Sequence, residues 1–165
     1  MILSLDDWQF NIDLEQTMDR SAAEVSDHCT CAYCRNFYAE VDHVCPTLRP
    51  LLSQFGLELE APDVLYPYDI SDERMCYEGK YVVFGQIIRY GRHGFDCHGA
   101  DLMPMEDDES LVDEPHFVLS LEGLNLAWVL NEPMGEVISP ANEPSFLEKM
   151  WQRFVKRVKP KDTIS

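Results

Sequence analysis

The period of apolar residues changes several times along this chain, and each change marks an element. Trp8-Gln9-Phe10-Asn11-Ile12-Asp13-Leu14 alternates apolar and polar residues, the period of two that a half-buried strand requires. Trp8, Phe10, Ile12 and Leu14 then share one face. Thr17 to Asp27 reads as helix or loop, with Ser21 and Glu24 spaced as a capping box. From about Cys31 the spacing turns helical, with Cys34, Phe37, Tyr38, Val41, Val44 and Cys45 recurring at three and four residues. Proline is poorly tolerated inside a helix but well placed in a first turn. Pro46 therefore divides this stripe into two predicted helices, 31–43 and 46–55, with Leu48, Leu51, Leu52 and Phe55 continuing the apolar face and Gly56 as C-terminal cap.

Leu57 to Asp72 carries Pro62 and Pro67 among acids and tyrosines and reads as an extended connection. Residues 80–90, Lys-Tyr-Val-Val-Phe-Gly-Gln-Ile-Ile-Arg-Tyr, are too continuously β-branched and aromatic for a solvent-washed edge and predict a central strand. Gly91 to Asp113 reads as a polar loop. Residues 116–121 and 125–130 are strand-like and flank Glu122-Gly123-Leu124, which predicts an antiparallel hairpin. Pro144 to Val158 predicts a final helix with Phe146, Leu147, Met150, Trp151, Phe154, Val155 and Val158 on one face, and Pro160 stops it. No repeat or linker divides the chain. The expectation is a single α+β domain over residues 1–165, a mostly antiparallel sheet of about four strands covered by two consecutive helices and a C-terminal helix.

Composition supports a packed core: 165 residues, 45% of them hydrophobic and 11% aromatic, are enough to bury about two-thirds of the unfolded surface. The charge sharpens the picture, because the net of −17 is unevenly spread. Residues 1–148 hold 7 Lys and Arg against 29 Asp and Glu, a net of −22, and residues 149–165 hold 6 against 1, a net of +5. An acidic body repels phosphate backbones, so nucleic acid is not an expected partner and a basic protein is. The final helix, apolar on one face and basic at its end, is expected to pack on its own sheet instead of on a membrane.

Met1 to Trp8 lacks a basic leader and meets two aspartates early, and no run nears the roughly 18 apolar residues of a membrane span. A cytoplasmic protein is the expectation. In a reducing compartment its six cysteines point to metal ligation, thiol chemistry or core packing before disulfides.

Three of the six fall together in Cys29-Thr30-Cys31-Ala32-Tyr33-Cys34. Thiolates are soft ligands, and structural zinc takes four N or S ligands in a tetrahedron at about 2.0–2.3 Å. The fourth is not adjacent in an obvious way. On an unbroken helix Cys45 would lie about 16 Å from Cys34 along the axis, and His43 is excluded for nearly the same reason. His28, Cys76, Cys97 and His98 are the remaining candidates, and the second Cys-x-x-Cys of a ribbon or finger is missing. Cys31 and Cys34 also form a Cys-x-x-Cys at a helix N-terminus, where the dipole favours a thiolate and thiol exchange. The third reading is that Cys31, Cys34 and Cys45 are simply core, on the stripe of Phe37 and Val41.

The loop from Arg92 to Asp101 gathers His93, Asp96, Cys97, His98 and Asp101, groups capable of metal binding or acid–base work, at spacings that match no defined motif. Signatures of phosphate-binding loops, dinucleotide folds, serine hydrolases and zinc proteases are missing from the sequence. The stretch Cys29-x-Cys31-x-x-Cys34-Arg35-Asn36-Phe37 resembles one found in small acidic bacterial proteins of unassigned function. That likeness covers about a quarter of the chain and implies no activity and no site residue. The functional expectation is a non-enzymatic protein-binding domain of regulatory or immunity type. The alternatives are a zinc protein built on Cys29, Cys31 and Cys34, with Cys97 and His98 as further candidate ligands, and a thiol oxidoreductase built on Cys31 and Cys34.

Overall fold

A computed structural model describes residues 1–71 and 73–134. The predicted helix over 144–158 lies outside these residues. In chain order the elements are β1 (Ile2–Leu5), β2 (Trp8–Ile12), α1 (Leu14–Ser26), α2 (Ala32–Val44), α3 (Leu48–Gln54), β3 (Val64–Ser71), β4 (Arg74–Arg89), β5 (Phe95–Cys97), β6 (Ala100–Met105) and β7 (His116–Ala127). The α+β class is as expected, and every strand pair among the described residues is antiparallel.

The sheet is larger than the expected four strands. Among the described residues seven strands form it, six in the order β1-β2-β4-β7-β6-β5 and β3 also on β4. Strand β4 is the organising element because its two halves have different neighbours: β3 pairs with residues 74–80 and β2 with residues 85–89, while β7 runs along the other edge from Arg74 to Phe84. Residues 75–84 are buried without interruption, so both faces of the strand are covered. That is why the apolar run at 80–90 does not alternate.

The alternation at Trp8, Phe10 and Ile12 holds, and all three are buried. It stops before Leu14 because Asp13 caps α1, accepting the Gln16 N–H at 3.1 Å. The expected Ser21–Glu24 capping box is not formed. Ser21 is buried inside α1, where its hydroxyl accepts the Glu58 N–H at 2.8 Å. The division at Pro46 is observed, and α3 closes with Gly56 at φ +81, the Gly56 N–H on Ser53 and the Leu57 N–H on Leu52. This is the left-handed termination that glycine permits.

Phe37 and Val41 of α2, Leu48 and Leu52 of α3, and Phe55 pack on the sheet and are fully buried. The centre of the contact is aromatic: Phe10 stacks on Phe117 at 5.2 Å and meets Phe55 edge-on at 5.1 Å, and Phe37 meets Tyr77 at 5.4 Å. The buried tyrosines keep their hydroxyls satisfied, Tyr81 donating to the Leu59 carbonyl and Tyr77 to the Tyr33 carbonyl.

Three further expectations are corrected. The connection over 57–72 contains β3, which among the described residues pairs with β4 alone, and such an edge position is where a strand can hold a proline like Pro67. The loop over 91–113 contains the β5–β6 hairpin, in which Phe95, Cys97, Ala100 and Leu102 are buried. The hairpin expected at 122–124 is one continuous strand. Gly123, at φ +71, sits where the β4–β7 register shifts between Tyr77 and Gly79, so the glycine marks a bulge and not a turn.

Residues 106–114 fold over the other sheet face, with Leu111 and Val112 against Val82, Phe84 and Val118. Asp107 holds this crossing by accepting from the backbone N–H of Glu109 and Leu111 and pairing with His116 Nε2 at 2.7 Å.

Candidate metal centre

Helix α1 ends at Ser26 and α2 begins at Ala32, so Cys29 and Cys31 lie in the turn between them and Cys34 lies in the first turn of α2. The helical stripe carries Cys34 inward with Phe37 and Val41, leaving it buried while Cys29 and Cys31 are exposed. The turn is pinned from several sides. Arg35 Nε donates to the Thr30 carbonyl at 2.9 Å, Tyr33 packs edge-on against Trp128, and its carbonyl accepts the Tyr77 hydroxyl. The three Sγ atoms lie within 4.8 Å of one another.

Local electrostatics treat the sulfurs unequally. The Cys31 N–H donates to Cys29 Sγ at 3.5 Å, and this bond, with hydrogen bonds from the other two thiols, draws the Cys29 thiol below the ordinary range. Burial, and hydrogen bonding that favours its neighbours' charge, push the Cys34 thiol well above it. Three thiolates this close repel one another strongly at reduced dielectric. A dication among them removes that repulsion and satisfies all three.

Distances allow it. An ion 2.3 Å from each sulfur in a tetrahedral arrangement sets the sulfurs about 3.8 Å apart, so the cluster needs only a small closure from its present spacing. The cysteines open onto a cavity of about 320 Å³ whose wall also includes Glu24, Asp27, His28, Tyr38 and Asp63. Asp63 is already engaged, accepting from Arg20 Nε and from the Val82 N–H, each at 2.7 Å.

The other cysteines and His98 are placed elsewhere. Cys97 is buried on β5, where its thiol and that of Cys45 share a hydrogen bond. That bond draws the Cys45 thiol down to about 7, since it stabilises the charged sulfur. His98 is exposed in the β5–β6 turn at φ +50. Cys76 is buried on β4, and burial pushes its thiol up to about 11. None of these four lines the cavity. The sequence reading missed the cavity's far wall, Pro62 to Pro67. Only the return of β3 beside α1 and α2 brings it there, and no local spacing announces it. Compared with protein-family models, curated proteins and solved structures, the chain gives no match.

Proposed function

We propose that this is a zinc-binding protein in which Cys29, Cys31 and Cys34 hold the ion at the junction of α1 and α2. The observation that carries the reading is the convergence of three sulfurs within 4.8 Å. Thiolates select soft and borderline ions, and three of them from one turn and one helix start suit zinc among the common cellular metals. Bound there, the ion fastens the only segment between α1 and α2, and its role is to order that junction. A thiol oxidoreductase built on Cys31 and Cys34 is less well supported, because the described strands are all antiparallel and lack the βαβ frame of that chemistry.

Six free thiols suit a reducing compartment, and we place the protein in the cytoplasm. Its acidic body is the feature that would steer a basic protein partner toward it.

Elemental analysis of protein purified without tag or chelator tests the metal. The expected result is one zinc per chain, lost in Cys29→Ser and Cys31→Ser. Zinc well below one equivalent in the unaltered protein overturns the proposal.

A further inference from the structure

Three cysteines leave one tetrahedral position to fill; the cavity wall offers His28, Glu24, Asp27 and Asp63, each outside the 4.8 Å grouping of the three sulfurs. His28 directly precedes Cys29 and lines the same cavity. Its Nδ1 lies 2.6 Å from the Val25 carbonyl oxygen at the end of α1. A carbonyl can only accept, so Nδ1 is the donor here, and in the neutral ring that leaves the lone pair on Nε2. Metal-bound histidines are characteristically fixed in this way, with one ring nitrogen donating to a carbonyl and the other directed to the ion. The ring is also steadied by Tyr38, edge-on with centroids 5.1 Å apart.

Resting on the zinc reading above, we propose that Nε2 of His28 is the fourth ligand, making a closed Cys29-Cys31-Cys34-His28 site. The competing group of greatest burial, Asp63, already serves Arg20 and the Val82 N–H, and using it would unpair both. A Cys₃His set is one of the recurrent structural zinc sites, whereas catalytic sites keep a position for water. The closed set therefore assigns the ion to holding the α1–α2 junction, with Val25 as the carbonyl that orients its histidine.

The test uses the full chain and zinc or cobalt(II) alone as probe. Zinc affinity is measured by competition with a chromophoric chelator for the unaltered protein, His28→Ala and His28→Cys. The cobalt forms are compared by their thiolate-to-metal absorption. His28→Ala is expected to bind zinc at least about tenfold more weakly, with a cobalt spectrum shifted as water replaces nitrogen. His28→Cys is expected to restore tight binding and to raise the thiolate absorption by about a third, the change from three sulfur ligands to four. His28 is exposed, so the circular dichroism of the metal-free variants should match that of the unaltered protein. If His28→Ala binds zinc as tightly as the unaltered protein with an unchanged cobalt spectrum, the histidine is not a ligand while the three-cysteine site stands. If the unaltered protein binds neither metal, both proposals fall.

Discussion

Asn36, fully buried on α2, accepts the backbone N–H of Val129 at 2.8 Å while its amide donates to the Ala127 carbonyl at 3.1 Å. A side chain is thus taking the place of a further strand at the end of β7. It also fixes the rotation of α2 two residues after Cys34, so the same pair of bonds orients the buried sulfur of the candidate site. Asn36→Ala removes the side-chain partner of two part-buried backbone groups, and a cost of about 1–2 kcal/mol is expected. Urea unfolding should show a lower midpoint at unchanged slope, and an unchanged midpoint would mean that the anchor contributes nothing.

Thiol chemistry should report the packing directly. Cys29 and Cys31 are exposed and Cys34, Cys45, Cys76 and Cys97 are buried. A disulfide reagent should modify two thiols quickly in the native, metal-free protein and six after denaturation. Cys45 tests which effect dominates. The hydrogen bond from Cys97 draws its thiol down to about 7, yet the residue is wholly buried, and access is expected to win over ionisation. Saturating zinc should protect the two fast thiols.

Gly85 is required by geometry. It adopts φ +131, and a Cβ there would stand 2.0 Å from the Asn11 carbonyl oxygen of β2. Backbone oxygen cannot swing aside, so Gly85→Ala must either part β2 from β4 or strain both. A loss of about 3 kcal/mol or more is expected, read as a fall in the thermal midpoint. A neutral variant would mean that the strands do not approach so closely.

Acid should loosen the crossing of residues 106–114. Burial pushes the Asp107 carboxyl up, but hydrogen bonds from His116 and from the N–H groups of Glu109 and Leu111 outweigh it, and the net shift is downward. A carboxylate held below its unfolded value contributes stability that is fully present above that value, about 3.9. The contribution is lost as the pH falls through the folded value. The next two carboxylates of the same segment, Asp108 and Glu109, pair with Lys80. Stability measured from pH 6 to pH 2 is expected to fall most steeply below about 4. Asp107→Asn should destabilise the neutral form by about 1–3 kcal/mol and flatten that acid limb. An equally steep limb in the variant would assign the loss to other carboxylates.

Local signals in the sequence were sufficient wherever one face of an element decides its period. The alternation at Trp8 to Ile12, the stripe from Cys34 to Phe55 broken at Pro46, and the cap at Gly56 were all legible for that reason. The failures share a different cause. β3 hides behind Pro62 and Pro67, and the β5–β6 hairpin hides behind His93, Asp96 and His98, because edge strands and short hairpins are held by a neighbour's ladder and not by their own apolar content. Gly123 was read as a turn because a bulge and a turn call for the same positive φ. At the site, the Cys29-Cys31-Cys34 grouping was legible from spacing, while the separate Cys45–Cys97 contact was not. It joins the end of α2 to a strand 52 positions later, and only the assembled sheet puts them side by side.

The long central strand has a consequence for the order in which the protein can fold. Residues Trp8, Phe10 and Ile12 belong to a hairpin complete within the first dozen residues, yet β2 pairs with Gly85–Arg89. A chain made from its N-terminus carries β2 without its ladder on β4 until more than seventy further residues exist, although Phe55, which meets Phe10, arrives sooner. Pairings so distant in sequence make folding slow, because loop closure must precede the contacts that reward it. During that wait the junction of α1 and α2 needs only its own thirty or so residues to form. A metal caught there would give the growing chain one settled point before the sheet arrives.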